Sequence, residues 1–341
     1  MHTNDRELTL MKKILMLTTG GTIASKDGKN GLQPVLDASG LLRAFSYDTA
    51  RFDITAVGVL DMDSSNIQPE EWQIIAKTIA QEYKNYDGFV ITHGTDTLAY
   101  TASALSYMLR DLAKSVVLTG SQIPIGRDVS DAQTNLTTAL WAIEADIWGV
   151  SVAFNRRIIR GTRAVKISTM SFDAFQSVNA PYLAQITAEG MHVVDDGHQY
   201  ACAGKPFTIA PELYSKVFLL KVIPGTQPDL IESLPALGYK SLVIEAFGAG
   251  GIHYLHRNLL QSLNGLIGRG MLVVICSQCL YDRSDLTLYE VGRQLLNIGV
   301  VPALDMTTEA IVTKLMWIWG QTDDYREAKE LFCRNLAGEM S

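Results

Sequence analysis

Four short segments of the 341-residue chain gather hydroxyl groups around glycines or acids. They are Thr19-Gly20-Gly21-Thr22, Asp61-Met62-Asp63-Ser64-Ser65-Asn66, Gly94-Thr95-Asp96-Thr97 and Gly120-Ser121-Gln122. A hydroxyl becomes a useful nucleophile only when a neighbouring base takes its proton. The chain spells neither a nucleophile elbow nor a serine-histidine-aspartate order that would supply one. His93, beside the third segment, is read first as a packed, hydrogen-bonded histidine. Lysine serves as a base when burial or nearby charge lowers its pKa. Lys166, in Gly161-Thr162-Arg163-Ala164-Val165-Lys166, is a candidate, although spacing alone reads it as a solvated surface lysine. Taken singly, each hydroxyl segment is an ordinary cap or turn.

What unites the four is the element that precedes each. Apolar, β-rich runs cover residues 12–18, 53–60, 88–93, 115–119 and 149–155, and a second series covers 217–223, 241–247, 271–276 and 299–304. Several are continuously apolar, as strands buried on both faces of a parallel sheet must be. Helical patterns lie between them at 69–84, 97–110, 131–145, 257–269 and 285–297, the first with Pro69 just inside and Glu70 and Glu71 in its first turn. Alternating strands and helices imply an α/β protein with right-handed crossovers. In such sheets, sites form at the C-terminal ends of the strands. Four hydroxyl-rich loops on one edge therefore point to a site. The polar stretch 188–212, with Gly190, Gly197, Gly204, Pro206 and Pro211, interrupts the rhythm. The expected organisation is a large N-terminal domain with a mainly parallel, doubly wound sheet over 11–190, a linker over 191–212, and a smaller C-terminal α/β domain with its own parallel sheet over 213–341.

Composition narrows the function classes. Hydrophobic residues are 47% and charged residues 19%, so a globular core is expected and little of the chain reads as disordered. Net charge is −7 with no basic run, which disfavours nucleic acid and anionic membranes as partners. No apolar stretch reaches the ~20 residues of a membrane span. Residues 1–10 carry no apolar signal region and read as a loose leader, which leaves the cytoplasm as the expected location.

Three other motifs compete for attention. Cys276-Ser277-Gln278-Cys279 spells CxxC but has no second pair, and it is read as two small residues at a strand end. Gly20-Gly21 fits neither the dinucleotide nor the P-loop spacing, and Gly248-Ala249-Gly250-Gly251 is a weak match to the former. His253-Tyr254-Leu255-His256 lacks acidic or thiolate companions, so it reads as surface and not as a metal site.

Thr19-Gly20-Gly21-Thr22-Ile23-Ala24-Ser25 and Thr92-His93-Gly94-Thr95-Asp96-Thr97 together resemble the two signature segments of the bacterial L-asparaginase family. The resemblance continues through Asp63-Ser64-Ser65, Thr119-Gly120-Ser121-Gln122, Arg163-Ala164-Val165-Lys166, Phe172-Asp173-Ala174-Phe175 and Met306-Thr307-Thr308-Glu309-Ala310, nearly the whole chain from Met11. With no signal segment, it is the cytoplasmic type I branch that the chain resembles. The resemblance implies hydrolysis of the side-chain amide of L-asparagine through a threonine ester. Thr22 would be the nucleophile, and Thr95, Asp96 and Lys166 a second triad in which Lys166 takes a proton from Thr95. Asp96 would also hold the substrate's α-amino group, and Asp63, Ser64 and Ser65 its α-carboxylate end. Backbone donors near Thr95 would form an oxyanion hole, worth roughly 3–4 kcal/mol per donor. No metal or cofactor is implied, and a homodimer or homotetramer is.

Three positions depart from the family pattern. Many relatives place a tyrosine on the loop after the nucleophile, where this chain has Leu32. Some type I relatives use a tyrosine from the partner subunit, and Tyr289 is the matching candidate. Gly251 replaces a substrate-proximal asparagine. Glu245 stands where an allosteric type I relative has arginine, so the same allosteric site is not expected. Two further readings share these motifs. One is the asparaginase-like subunit of a glutamyl-tRNA amidotransferase, which supplies ammonia from glutamine; the start of the first strand near residue 12 and the acidic charge weigh against it. The other is a non-catalytic amino-acid sensor, against which the presence of Thr22, Thr95, Asp96 and Lys166 weighs.

Overall fold

The computed structural model describes residues 11–28, 31–34, 36–200 and 205–341, so the leader 1–10 lies outside the described residues. Its main element is an eight-stranded sheet ordered Gly190–Val193, Ala184–Thr187, Arg157–Arg160, Gly149–Phe154, Ser115–Thr119, Gly88–Thr92, Lys12–Gly20 and Phe52–Met62. The five strands from Gly149–Phe154 to Phe52–Met62 are mutually parallel, and the other three pair antiparallel. A separate four-stranded parallel sheet orders Val217–Lys221, Ser241–Ala246, Leu272–Ser277 and Val301–Pro302. The mixed α/β architecture with two parallel-rich sheets is thus the one the strand–helix alternation implies.

Successive residues of a strand point to opposite faces, and the core follows that period. Leu15, Leu17, Phe89, Ile91, Val116 and Leu118 bury into one layer, whereas Ile14, Met16, Val90 and Val117 bury into the other. The first layer also receives Val243, Val274, Leu315 and Ile318, so the two sheets share a core face. Between them lie the helices Leu98–Met108 and Thr308–Gln321, both apolar around most of their surface.

Element ends differ from the sequence expectation where side chains capture backbone groups. The helix expected over 69–84 runs Pro69–Glu82, opened by Glu71 accepting from the Gln68 N–H at 2.8 Å. The helix expected over 285–297 begins only at Glu290, because the Asp285 carboxylate accepts from the Thr287 N–H at 3.0 Å and makes a local turn instead. Residues 109–110 leave the expected helix to pair with Thr208–Ile209. Gly190–Val193, inside the polar stretch, pairs with Ala184–Thr187 and joins the large sheet. Only Val301–Pro302 of the run 299–304 is strand, bracketed by positive φ at Gly299 and Leu304.

Candidate active site

Three of the four hydroxyl-rich loops meet through glycine. A Cβ on Gly21 would lie 2.5 Å from the Gly94 nitrogen, and one on Gly94 would lie 2.6 Å from Ser64 Oγ. Only glycine leaves room for these backbones to touch, and Gly21 further needs its φ of +80°. The loops of Thr22, Thr95 and Ser64 are consequently packed one against the next. The Thr97 hydroxyl adds a hydrogen bond to the Ser64 carbonyl at 2.7 Å. Thr22 opens a 3-10 turn, Thr22–Ala24, and is half-buried, while Ile23 and Ala24 behind it are fully buried. The Ile23 carbonyl accepts from the Ile125 N–H at 3.2 Å, which ties this turn to the fourth loop.

Lys166 reaches the third loop from a short hairpin in which Ala164–Lys166 pairs with Phe175–Ser177. Its Nζ donates to Thr95 Oγ1 at 2.8 Å and to Asp96 Oδ1 at 2.6 Å. Lysine and carboxylate differ in exposure, 16% against 64%, and Thr95 is buried. The Thr95 hydroxyl donates onward to Gln122 Oε1 at 3.4 Å. Gln122 is itself anchored, its amide donating to the Thr169 and Ser171 carbonyls at 3.0 Å and its backbone N–H to the Asp131 carboxylate at 3.0 Å. Sequence reasoning quoted Gln122 within the fourth loop but gave it no role; its place after the fourth strand was the available signal.

His93 is fully buried beneath these groups, and its tautomer follows from donor logic. The Gly94 carbonyl can only accept, so His93 Nδ1 donates to it at 2.7 Å, and Nε2 of the neutral ring accepts from the Thr101 hydroxyl at 2.9 Å. Thr101 Oγ1 also accepts from Trp72 Nε1 at 2.9 Å. Desolvation pushes the His93 pKa down to about 4, against a smaller upward pull from that carbonyl, so the ring is neutral at pH 7. It is a fixed strut, as the packed reading expects. Because a trans peptide points its C=O and N–H in opposite directions, the Thr95 N–H faces away from the imidazole.

Asp63 caps the turn Ser64–Asn66, accepting from the Ser65 N–H at 2.8 Å and from the Ser65 hydroxyl. Those two bonds hold its pKa below the usual carboxylate value, with burial opposing. Tyr289 lies far along the chain, 64% exposed, immediately before the helix Glu290–Asn297; among the described residues its hydroxyl has no hydrogen-bond partner. Leu32 sits in the strand Gly31–Pro34, opposite Asp27, and its side chain lies outside the described residues. Glu245 accepts from the Thr308 hydroxyl at 2.8 Å and faces Lys221 at 3.7 Å. Cys276 is buried and free, Cys279 exposed and free, and His253 Nε2 donates to the Thr226 carbonyl at 3.0 Å. Among the described residues no cluster of histidine, cysteine or acidic groups is arranged to hold a metal, and no helix is long and apolar enough to cross a membrane.

The class this defines is a two-sheet α/β protein in which an ammonium from a short hairpin contacts both a hydroxyl and a carboxylate of one strand-end loop. Residues 13–198 match the family model described as Asparaginase, N-terminal, and residues 216–332 match the Glutaminase/Asparaginase C-terminal domain. The chain belongs to the asparaginase family. It is 42% identical to the L-asparaginase of Thermococcus kodakarensis over 332 residues, covering 96% of this chain and 99% of that protein. The solved structure of that thermostable enzyme superposes with a TM-score of 0.89, covering 96% and 99% of the two chains. L-asparaginase 1 of Escherichia coli is 35% identical over 97% of this chain and 98% of its own length. A glutamyl-tRNA(Gln) amidotransferase subunit of Pyrococcus furiosus is 38% identical over 96% of this chain and 76% of its own length. The likeness is thus not confined to the bacterial branch that the signature segments suggest.

Proposed function

We propose that this chain is an L-asparagine amidohydrolase of the type I, cytoplasmic kind, working as a homodimer or homotetramer without metal or cofactor. In this reading the catalytic threonines belong to an N-terminal domain over 11–190, followed by a connection over 191–212 and a C-terminal domain from 213. The observation that carries the reading is the contact of Lys166 with both Thr95 and Asp96. Thr22 attacks the side-chain amide carbon of asparagine. The C–N bond breaks, ammonia leaves, and a β-aspartyl ester on Thr22 remains for water to cleave. The Thr95 N–H would serve as an oxyanion donor.

Asp63, Ser64 and Ser65 receive the α-carboxylate end of the substrate, and Asp96 its α-ammonium. As the free amine, Lys166 takes the Thr95 proton while Thr95 takes that of the attacking Thr22 hydroxyl or water, and the proton so collected is handed to the departing amide nitrogen, which leaves as ammonia. The 2.8 Å separation of Lys166 Nζ and Thr95 Oγ1 suits that transfer.

The test is ammonia release from asparagine and from glutamine, measured side by side on the wild type and on Thr22→Ala. Loss of several orders of magnitude in Thr22→Ala is expected. Near-normal release by that variant would overturn the nucleophile. Turnover of glutamine alone would favour the reading as part of an amidotransferase, which the 38% identity to the Pyrococcus furiosus protein keeps in view. Asparagine binding without ammonia would favour the sensor.

A further inference from the structure

The hairpin that presents Lys166 has only two strands, Ala164–Lys166 and Phe175–Ser177. A two-stranded hairpin is marginal by itself, so the lysine needs outside support to keep its place. That support enters through the 3-10 turn directly before it, Gly161–Arg163. Arg163 is 2% exposed, and its guanidinium makes three contacts with residues far along the chain. Nε donates to the Gly338 carbonyl at 2.9 Å, and Nη1 donates to the Asp305 carbonyl at 2.9 Å and the Asp305 carboxylate at 3.1 Å. Thr162 donates to the Ala337 carbonyl at 3.1 Å.

The partners of Arg163 are themselves held. The Asp305 carboxylate accepts from the Ser341 N–H at 3.1 Å and hydroxyl at 2.7 Å. Segment 335–341 is pinned by Glu339, which has no exposed surface and accepts from the Ala337 N–H at 2.7 Å and from Lys314 at 2.5 Å. Lys314 is equally buried and spends its other donors on the Phe332 and Arg334 carbonyls. The opposite side of the hairpin is tied down as well, since Asn179 exchanges hydrogen bonds with the Asp282 backbone at 2.9 Å.

We propose that Arg163 is a positioning residue for Lys166, and that Asp305 with segment 335–341 forms the brace through which the C-terminal part of the chain sets the Lys166–Thr95–Asp96 geometry. The proposal rests on the reading of Lys166 as a catalytic group. A planar fork engages Gly338 and Asp305 together, whereas a lysine in its place offers one point charge and cannot hold both directions. Only Ala164 and Val165 separate Arg163 from Lys166. A displacement of about 1 Å at a reacting group costs on the order of 100-fold in rate.

The experiment compares Arg163→Lys and Ser341→Ala, each in the wild type and in Lys166→Met, by kcat and KM for asparagine with a thermal melt as control. Arg163→Lys is expected to lower kcat by about 100-fold while KM moves by less than about threefold. Ser341→Ala, which removes one bond to Asp305, is expected to lower kcat severalfold. Both costs should vanish in the Lys166→Met background, because a residue that acts through Lys166 has nothing left to position there. Equal costs in both backgrounds, or an unchanged kcat in Ser341→Ala, would overturn the brace while leaving Lys166 in its role. If Lys166→Met itself stayed active, the reading of the site would fail and the brace with it. Should Arg163→Lys not fold, Ser341→Ala alone decides between these outcomes.

Discussion

The Nζ of Lys166 stands 2.8 Å from Thr95 Oγ1, although 71 residues of chain separate them. The same nitrogen lies 2.6 Å from Asp96, so one ammonium bridges a hydroxyl and a carboxylate. Groups coupled in this way act as a unit, and removing any one should cost nearly as much as removing two. Lys166→Met and Thr95→Val are each expected to lower kcat by at least about 1,000-fold, and the double variant by little more. Steady-state ammonia release measures the cycle; multiplicative losses would show that the two side chains act separately.

Gly94 separates the Thr95 loop from the Ser64 loop, and a Cβ there would stand 2.6 Å from Ser64 Oγ and 2.7 Å from Ser64 Cβ. Gly94→Ala must push the two loops apart. Overpacking of this kind costs about 1–3 kcal/mol of stability, to be read from urea unfolding. Because Asp63, Ser64 and Ser65 are assigned to the substrate's carboxylate end, KM for asparagine should rise along with the loss of kcat. An unchanged KM would detach that loop from substrate binding.

Two buried groups give the protein opposing pH responses. Burial pushes the His93 pKa down to about 4 from 6.5, so the unfolded chain binds the extra proton between those values and stability falls as pH falls. Burial pushes Glu309 up to about 7 from 4.5, so the folded chain binds the extra proton and stability falls as pH rises. The slopes cancel between pH 4.5 and 6.5. Glu309→Gln should uncover the histidine slope, a loss of about 2 kcal/mol on going from pH 6.5 to 4.5 relative to the wild type. Urea unfolding at the two pH values checks this, and identical slopes in variant and wild type would refute it.

Tyr289 carries an exposed hydroxyl at the start of the helix Glu290–Asn297. If that hydroxyl completes the Thr22 site of a neighbouring subunit, Tyr289→Phe should lower kcat by about 10-fold or more with the oligomer intact. Light scattering beside the ammonia assay separates the two effects. Full kcat in an intact oligomer would end the idea and leave the vacancy at Leu32 to another group.

Much of this was legible from local pattern. An apolar strand followed by glycine and hydroxyls announces itself within ten residues, which put Thr22, Thr95, Asp96 and the Asp63–Ser65 loop on one sheet edge, while their roles came from the resemblance to the asparaginase family. The doubly wound arrangement was legible too, since runs such as 14–17 and 89–91 are apolar on both alternating faces. Arg163 and Gln122 were not legible as supports. Arginine at a turn and glutamine after a strand look like surface residues until their partners are known, and those partners lie in distant elements. The start of the 290–297 helix was missed for a similar reason, because Asp285 competes for the backbone that a periodic pattern assigns to the helix.

The roles expected of Thr22, Thr95, Asp96 and Lys166 came from the resemblance to the asparaginase family; sequence pattern alone determined the class of fold and the edge of the sheet where the hydroxyl-rich loops collect. Those are properties of spacing and side-chain type, which the chain carries wherever it goes. Only the tertiary structure decided that Lys166 is shared between Thr95 and Asp96, that His93 is a neutral strut, and that Arg163 is clasped by Asp305 and Gly338. Hydrogen bonds depend on tenths of an ångström, and separations that small between residues far apart in the chain are set by how whole elements pack.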